Sequence, residues 1–442
     1  MAFTKNKMIF LTDFIKDKTF FRFLNKSFLA LIVKILGVII SFFVSIIISR
    51  SLGADGLGVI NLASKILSIL MLLSLFGVNQ IIVREIAKEL KLKNYERVNS
   101  IVSTSIRMSL FLSLLLSFVL FCSANWLSSN IFHNKNLEFV FEIFAISMPF
   151  QVIARIYASS AIGMNKIWQG SLVNQTLTMF IIASVLLYFI YFEKIITIQV
   201  IVYSYLFARA IQLLFFKLYW SKSLKPESSI LTTDYKGLWN MSHPLLIASA
   251  SVVLSESLAT IFLGIYSNTF DVGLFSVASR LAIFTSFILQ VTNSALSPKI
   301  SEMYHSKNFD SLQNLIYKIT KLVAFFGLCI FLIYFFLGEN ILKIWGDEFI
   351  DAYIILIILS FGQLFNLATG SSGVILIMTG LQKIRRNISI VSLLLNLILC
   401  PILIFYWSAV GAAIAIASVL IIENIIKLYY VYIKTKLKLF KI

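Results

Sequence analysis

Long runs of apolar residues, separated by short polar segments, make up most of the chain. Windows of about 20 apolar residues identify twelve runs that are long enough to cross the hydrocarbon core of a bilayer. The polar segments between them hold most of the cationic residues. The twelve predicted spans are residues 27–49, 58–82, 101–127, 137–161, 170–191, 197–217, 241–266, 272–296, 314–337, 350–378, 387–407 and 410–433.

These runs predict helices. In hydrocarbon, backbone polar groups are satisfied only in helices or in closed barrels, and barrel strands are about 10 residues long with alternating polarity. The composition supports a lipid environment, because 59 % of the residues are hydrophobic and only 13 % are charged, about half the charged fraction of soluble domains. We therefore predict an all-α integral membrane protein with twelve transmembrane helices.

The second half of the sequence repeats the first. GVINLASKI at 58–66 matches GLFSVASRL at 273–281, KNYERVN at 93–99 matches KNFDSLQ at 307–313, and GMNKI at 163–167 matches GLQKI at 380–384. Matching positions are 214 to 217 residues apart throughout. Such a narrow range of offsets indicates a duplication.

Six predicted spans fall in each repeat, and an even number gives both repeats the same orientation. The repeats are therefore predicted to form two parallel six-helix lobes related by an axis along the membrane normal. The predicted parts are an N-terminal segment at 1–26, an N-terminal lobe at 27–217, a cytoplasmic linker at 218–240, a C-terminal lobe at 241–433 and a basic tail at 434–442. The N-terminal segment mixes Lys with Phe, Ile and Leu, which is typical either of an interfacial segment or of a disordered tail.

The cationic residues predict the orientation. Of the 38 Lys and Arg residues, 25 lie in the N-terminal segment, in alternate connections and in the tail, whereas the other connections hold only four. Because cytoplasmic segments carry the excess of Lys and Arg, both termini are predicted to be cytoplasmic. The net charge of +18 is then mainly a topology signal, and nucleic-acid binding is not expected.

Motifs of common enzyme sites are absent from the sequence. It contains no G-x-x-x-x-G-K-[ST] phosphate loop and no H-E-x-x-H metal motif, and its three histidines are scattered. The three cysteines lie inside apolar runs, where free Cys behaves as a small hydrophobe. The longest predicted external loop is 338–349. We therefore expect no catalytic site, no metal and no cofactor.

Nine cations remain inside the predicted spans, although each costs roughly 2.5–3.5 kcal/mol at the centre of a membrane helix. Lys65, Arg209 and Arg280 lie deepest, and Lys65 and Arg280 are equivalent positions of the two repeats. They are expected to face each other across the axis between the lobes, either lining a central cavity or acting as structural cations. Lys34 and Arg155 lie at intermediate depth.

Four further cations lie near predicted cytoplasmic span ends, where long side chains reach the interface: Arg107, Lys318, Lys321 and Lys427. Arg84 and Lys299 lie at such ends too, and they either attract an anionic group or anchor the helices.

Acidic residues at comparable depth are few. Glu256 is in the middle of the seventh predicted span and Glu423 is in the twelfth. Glu256 is either a partner of a cavity cation, a coupling carboxylate or neither. The excess of cations over carboxylates predicts an anionic substrate.

Several segments together resemble one transporter family. They are SRSLGADGLGVINLASKI at 49–66, FGVNQIIVREIA at 76–87, ATIFLGIYSNTFDVGLFSVASRL at 259–281, ALSPKISEMY at 295–304, GLQKI at 380–384, LLLNLILCPILI at 393–404 and VGAAIAIA at 410–417. Through the order and spacing of these segments, the chain resembles the Wzx-type polysaccharide flippases of the multidrug/oligosaccharidyl-lipid/polysaccharide exporter superfamily. The resemblance covers nearly all of 27–433.

The resemblance implies a two-lobed exporter that works by alternating access. Its substrate would be an undecaprenyl-diphosphate-linked oligosaccharide for O antigen, capsule or a similar glycan, and a glycan polymerase and a chain-length regulator would be its partners. The residues expected to meet the diphosphate are Lys34, Lys65, Arg155, Arg209 and Arg280, with Arg84 and Lys299 at the cytoplasmic entrance.

One position departs from the family pattern. Many relatives carry an acid a few residues before the Leu-Gly of the seventh helix, where this chain has Ala259. This departure argues against acidic ion coupling at that place. Two other functions stay open, a cation-coupled multidrug exporter of the same superfamily and a membrane glycan polymerase.

Overall fold

A computed structural model describes residues 18–172, 176–223 and 235–437, and most of these residues are helical, with no β-strand among them. A π-helical turn, Leu127–Ile131, and a 3-10 helix, Asp347–Ala352, accompany the α-helices. The α-helices of the described residues are α1 (Lys18–Leu75), α2 (Val78–Lys91), α3 (Tyr95–Trp126), α4 (Asn136–Gly163), α5 (Ile167–Ser171), α6 (Leu177–Tyr191), α7 (Ile198–Ser223), α8 (Tyr235–Tyr266), α9 (Thr269–His305), α10 (Phe309–Leu342), α11 (Tyr353–Ala368), α12 (Ser372–Met378) and α13 (Gln382–Thr435).

The predicted all-α membrane fold is confirmed. Nine helices in the described part of the chain are long and apolar enough to cross a membrane. Two of them, α1 and α13, each contain two predicted spans, and the shorter apolar helix α6 corresponds to the predicted span 170–191. The number of twelve crossings stays a prediction.

The connections inside α1 and α13 are tighter than the sequence predicts. In α1 the only non-helical residue is Gly53, with φ 69° and ψ −171°, a conformation that glycine adopts without steric cost. In α13 the non-helical residues are Trp407 and Ser408, the latter with φ 44°. The helices therefore turn at kinks and not at loops.

The predicted span 58–82 is interrupted near its end. Phe76 and Gly77 have φ of 48° and 76°, so α1 ends at Leu75 and α2 begins at Val78. A Cβ at Gly77 would lie 2.8 Å from the Leu246 amide nitrogen and from the Ser242 carbonyl oxygen. The close approach of α8 at this point requires glycine.

The chain packs into two compact units that are not contiguous in sequence. Unit 1 contains Met1–Ser45, Leu70–Cys122 and Phe141–Ile247, and unit 2 contains Ile46–Ile69, Ser123–Val140 and Ala248–Ile442. In unit 2, residues of α9, α10, α12 and α13 build one apolar core around Ile300, Leu312, Ile375 and Val431. In unit 1, Ala154, Ala158 and Ala161 of α4 pack on Phe216 of α7.

The predicted lobe boundaries at 217 and 241 stay a prediction. Residues 1–17 of the predicted interfacial segment, 224–234 of the predicted linker and 438–442 of the basic tail lie outside the described residues.

Polar side chains inside the helices are largely satisfied by the helix itself. Ser105 and Ser160 donate hydrogen bonds to the carbonyl oxygens of Ile101 and Ile156, at 2.6 Å and 2.8 Å. Large apolar side chains cover the outside, as at Phe336, which is 74 % exposed. This inverted arrangement is expected of helices that are surrounded by hydrocarbon.

Candidate functional site

Helices α1 and α9 of unit 2 cross at two glycines. A Cβ at Gly58 would lie 1.7 Å from the Thr269 carbonyl oxygen, and a Cβ at Gly273 would lie 2.0 Å from the Ala54 carbonyl oxygen. Both pairs of equivalent positions, 58 with 273 and 54 with 269, are 215 residues apart. The contact is therefore reciprocal, as at a two-fold interface, and small residues permit such close crossings in membrane proteins.

The next turn of both helices is joined by a side-chain hydrogen bond. Asn61 Nδ2 donates to Ser276 Oγ over 3.0 Å, and also to the Leu57 carbonyl oxygen over 2.9 Å. Asn61 and Ser276 are again equivalent positions of the repeats. This hydrogen bond therefore extends the contact between α1 and α9 toward the more deeply placed residues of both helices.

One further turn along, the same two helices carry Lys65 and Arg280, and both residues are half-buried. Arg280 and Glu256 are close enough to act electrostatically on the Lys65 ammonium group. Glu256 lies on α8 and is exposed. The structure thus brings three of the predicted site residues together within unit 2, two cations against one carboxylate.

Above this group, polar contacts fix the kinked part of α1 to the segment after α10. Ser49 Oγ donates to the Trp345 carbonyl oxygen over 2.8 Å, and Arg50 Nε donates to the Ile344 carbonyl oxygen over 2.9 Å. Both contacts lie within unit 2. They join the first repeat to the second on the side that the charge pattern predicts to be external.

Two carboxylates complete this contact between the repeats. Glu348 Oε2 accepts a hydrogen bond from the Ala54 backbone N–H over 2.9 Å. Asp55 accepts a hydrogen bond from the Thr269 hydroxyl, and Asn134 Nδ2 donates to that hydroxyl oxygen over 2.7 Å.

A second group of predicted site residues lies in unit 1. Arg209 is only 4 % exposed, donates a hydrogen bond to the Ser147 hydroxyl, and lies over the rings of Phe144 and Tyr205, at 4.8 Å and 5.5 Å from their centroids. Arg155 is close enough to act electrostatically on it. The structure thus pairs Arg155 with Arg209.

Among the residues that the structure describes, this arginine pair has no negatively charged partner. The buried Nε atoms of Arg155 and Arg209 have no hydrogen-bond partner in the described part of the chain. Neither guanidinium belongs to an ion pair between described residues. Because an uncompensated buried charge is costly, this place favours an anion. Arg209 is enclosed by its aromatic neighbours, so a ligand would contact it only after they move.

The remaining predicted residues are at the surface. Lys34 on α1 and Lys299 on α9 are exposed. Arg84 on α2 is also exposed and pairs with Glu85, with 2.9 Å between Nη2 and Oε1. Its guanidinium also reaches the Met241 sulfur over 3.4 Å.

Unit 2 also contains a buried charge cluster that was not predicted from the sequence. Glu423 Oε1 lies 2.6 Å from Lys427 Nζ and 3.2 Å from an Arg385 Nη atom. Lys427 is 6 % exposed, so the prediction that it reaches the membrane surface is wrong. Asn424 Nδ2 extends the cluster by donating to Asn366 Oδ1 over 3.1 Å. The four-residue spacing of Glu423 and Lys427 on one helix was the available signal.

Comparison with known proteins identifies relatives in glycan assembly. CapF, a capsular polysaccharide biosynthesis protein of Staphylococcus aureus, is 29 % identical over 199 residues, which are 45 % of this chain and 50 % of CapF. The chain thus matches about half the length of CapF. Agl15, a probable low-salt glycan biosynthesis flippase of Haloferax volcanii, is 23 % identical over 394 residues, covering 86 % of this chain and 78 % of Agl15.

Solved structures share the fold. An inward-facing multidrug resistance transporter of the MATE family superposes with a TM-score of 0.75 at 14 % identity, over 90 % of this chain and 94 % of that one. The lipid II flippase MurJ in an inward closed conformation superposes with a TM-score of 0.71 at 15 % identity, over 92 % and 87 %.

Two family models match the sequence. The MatE model matches residues 244–402, which are about a third of the chain. The model described as polysaccharide biosynthesis protein matches residues 23–304, which are more than half of it. The chain belongs to the polysaccharide biosynthesis protein family.

Proposed function

We propose that this chain is a flippase, not an enzyme, which moves undecaprenyl-diphosphate-linked oligosaccharide units from the cytoplasmic to the outer leaflet of a bacterial inner membrane by alternating access. The family and the names of the relatives support this proposal. The glycan would serve O antigen, capsule or a similar surface polymer. A glycan polymerase and a chain-length regulator would be downstream partners.

The head group sets the physical problem. A diphosphate and several sugars cannot cross hydrocarbon unaided, whereas the polyprenyl chain can remain in it. The observation that carries the proposal is the net positive charge of both groups of predicted site residues. Lys65 and Arg280 have one carboxylate, Glu256, near them, and the pair Arg155 and Arg209 has none among the described residues.

In this proposal Lys65, Arg280 and Arg209 meet the diphosphate during transport. Lys34 and Arg155 guide it from the cytoplasm. Charge-assisted hydrogen bonds of this kind are among the strongest in proteins. Glu256 orients the two cations beside it or couples transport to an ion.

At the surface, Arg84 and Lys299 attract the anionic head group before it enters the membrane. Both side chains are exposed on helices that the charge pattern predicts to end in the cytoplasm. This orientation places both termini in the cytoplasm. The membrane potential then favours outward movement of an anion by about 2.3 kcal/mol per charge per 100 mV.

The second candidate is a cation-coupled multidrug exporter. The superposition on a MATE transporter and the MatE match at 244–402 favour it. Such a protein needs acidic residues to bind organic cations, whereas the buried groups described above are positive. The sign of the charge therefore favours the flippase.

The test is reconstitution into proteoliposomes that carry a fluorescent polyprenyl-diphosphate-linked oligosaccharide in one leaflet. A membrane-impermeant reagent reports its arrival in the other leaflet, and an imposed potential of either sign tests the driving force. We expect faster translocation when the potential favours outward movement of the anion. Uptake of a cationic dye driven by a proton or sodium gradient, without lipid-linked glycan movement, would contradict the proposal.

A further inference from the structure

One face of α3 lines two neighbouring cavities, both in unit 1. The first is lined from α3 by Arg97, Ser100, Ile101 and Thr104, and the second by residues of the following two turns. Residues three or four apart share one face of a helix. The start of α8, at residues 238–241, contributes to both cavities. We call the two cavities together the α3–α8 groove.

The first cavity has a volume of about 240 Å³ and is lined by both polar and apolar side chains. Two carboxylates, two cations and two hydroxyls contribute the polar part. Its lining residues are Glu85, Lys88, Glu89, Arg97, Ser100, Ile101, Thr104, Leu238 and Met241.

The lining of this cavity includes the buried hydroxyl group of Thr104. Thr104 is 1 % exposed, and its hydroxyl makes no hydrogen bond within the described part of the chain. Carboxylates accept hydrogen bonds, and Lys and Arg only donate them. A sugar carries hydroxyls that both donate and accept, so the lining suits a sugar better than a simple ion.

The second cavity is mostly apolar and has a volume of about 390 Å³. Its lining residues are Arg107, Met108, Phe111, Leu112 and Trp239. Phe111 is 68 % exposed. Trp239 stacks on Phe76, with 3.9 Å between ring centroids. This contact fixes the indole ring, and Trp is a residue type that is enriched at membrane interfaces.

Arg107 lies between the polar and the apolar part. It is exposed, and no hydrogen bond or ion pair joins it to another described residue. It lies three residues beyond Thr104, or about 4.5 Å along the helix at 1.5 Å per residue. Along α3, a lining that suits a sugar is therefore followed by one cation, Arg107, and then by an apolar wall.

A lipid-linked sugar carries matching chemical groups in the same order, namely the sugar, the phosphates and the isoprene chain. We infer that the α3–α8 groove binds the lipid-linked glycan in the cytoplasmic leaflet, with a sugar against Thr104, the phosphates at Arg107 and the first isoprene units along Phe111. The inference rests on the proposed function and adds a loading site to it. It commits to the substrate and not to bulk phospholipid.

The test uses the full chain in phosphatidylcholine nanodiscs with photoreactive probes. One probe is a polyprenyl diphosphate linked to N-acetylglucosamine, with a diazirine on the first isoprene unit, and another lacks the sugar. A third is phosphatidylglycerol with a diazirine in its acyl chain. Mass spectrometry locates the adducts, and we expect the diphosphate probes to label the segments 104–112 and 238–241.

Substitutions separate the parts of the ligand. We expect R107Q to lower labelling by both diphosphate probes roughly tenfold, and R107K to retain most of it. T104V should lower labelling by the sugar-bearing probe only. The matched control is K321Q, because Lys321 is exposed and occupies the equivalent position of the second repeat; its labelling should equal that of the unsubstituted chain.

Two outcomes would overturn the inference. One is equal labelling of the unsubstituted chain and R107Q by the diphosphate probes, and the other is displacement of these probes by phosphatidylglycerol at equal concentration. If the unsubstituted chain translocates the glycan in proteoliposomes while either outcome is found, the groove assignment is wrong and the proposed function stands. If it does not translocate the glycan at all, the proposed function is wrong.

Discussion

Asn61 donates a hydrogen bond to Ser276 over 3.0 Å, and the two residues hold the same place in the two sequence repeats. One turn before them, Gly58 and Gly273 bring the backbones of α1 and α9 into contact. One turn after them, Lys65 and Arg280 lie within electrostatic reach of each other. The crossing thus sets the depth at which the two cations meet.

The glycine crossing predicts the effect of a single methyl group. We expect G273A to destabilise the protein by about 1–3 kcal/mol, because its Cβ would overlap the Ala54 carbonyl group, which is backbone and cannot move aside. Thermal unfolding followed by tryptophan fluorescence measures this. In the control G373A, the nearest heavy atom to the new Cβ is the flexible Arg385 Nε at 3.3 Å. Equal melting temperatures for the two variants would contradict the described crossing.

The two cations at this depth predict a transport defect. We expect K65Q and R280Q each to lower translocation of the lipid-linked glycan roughly tenfold, because each removes a charge-assisted hydrogen bond to phosphate. K65R should keep more activity than K65Q. The control is K318Q, since Lys318 is exposed on α10. Wild-type rates in both glutamine variants would argue for purely structural cations.

The hydrogen bond between Ala54 and Glu348 predicts a change in accessibility. In E348A the Ala54 backbone N–H loses its carboxylate acceptor, so we expect the kinked segment to open more often. In a background without the three native cysteines, a cysteine at position 51, where Ser51 is exposed, would report this through its rate of reaction with a maleimide. The loss of one charge-assisted hydrogen bond predicts a rate increase of roughly tenfold.

The control for this experiment is D351N, because Asp351 is exposed in the same segment. Its labelling rate should match that of the parent protein. A rise of equal size in both variants would mean that general loosening, and not the bond to Ala54, controls access.

The buried charge cluster predicts unequal effects of single and double substitutions. We expect E423Q to cost about 3–5 kcal/mol, because it leaves Lys427 buried without its carboxylate. The double variant E423L/K427M removes both charges and should recover much of this loss. Melting temperatures in detergent measure both, with K434Q at an exposed position as the control. A double variant less stable than E423Q would refute this account.

The fold was largely predictable because membrane helices are encoded locally, by runs of apolar residues. What the runs do not encode is where two helices join. The kinks at Gly53 and Ser408 divide α1 and α13 into two helical segments each, and the break at Gly77 depends on the approach of α8, a contact between residues about 165 positions apart. No window of 20 residues contains such information.

The candidate site was likewise predictable only in part. The repeat alone placed Lys65 opposite Arg280, because equivalent positions of parallel lobes lie at equal depth. The cluster around Glu423 was missed because Arg385 lies in a predicted connection and Lys427 near a predicted span end. Distance from a span end does not reveal which way a side chain points, and Lys427 points inward.

The crossing at Gly58 and Gly273 also limits how the two halves of the gene can diverge. Each glycine abuts the main chain of the opposite half, so a larger residue on either side has to be answered by displacement of the other copy. Elsewhere the offset between the duplicated segments changes from 214 to 217 residues, so their lengths have diverged. At the crossing, a substitution of one glycine cannot be relieved by a substitution of the other, because both abut backbone carbonyl groups, and both positions are expected to remain glycine.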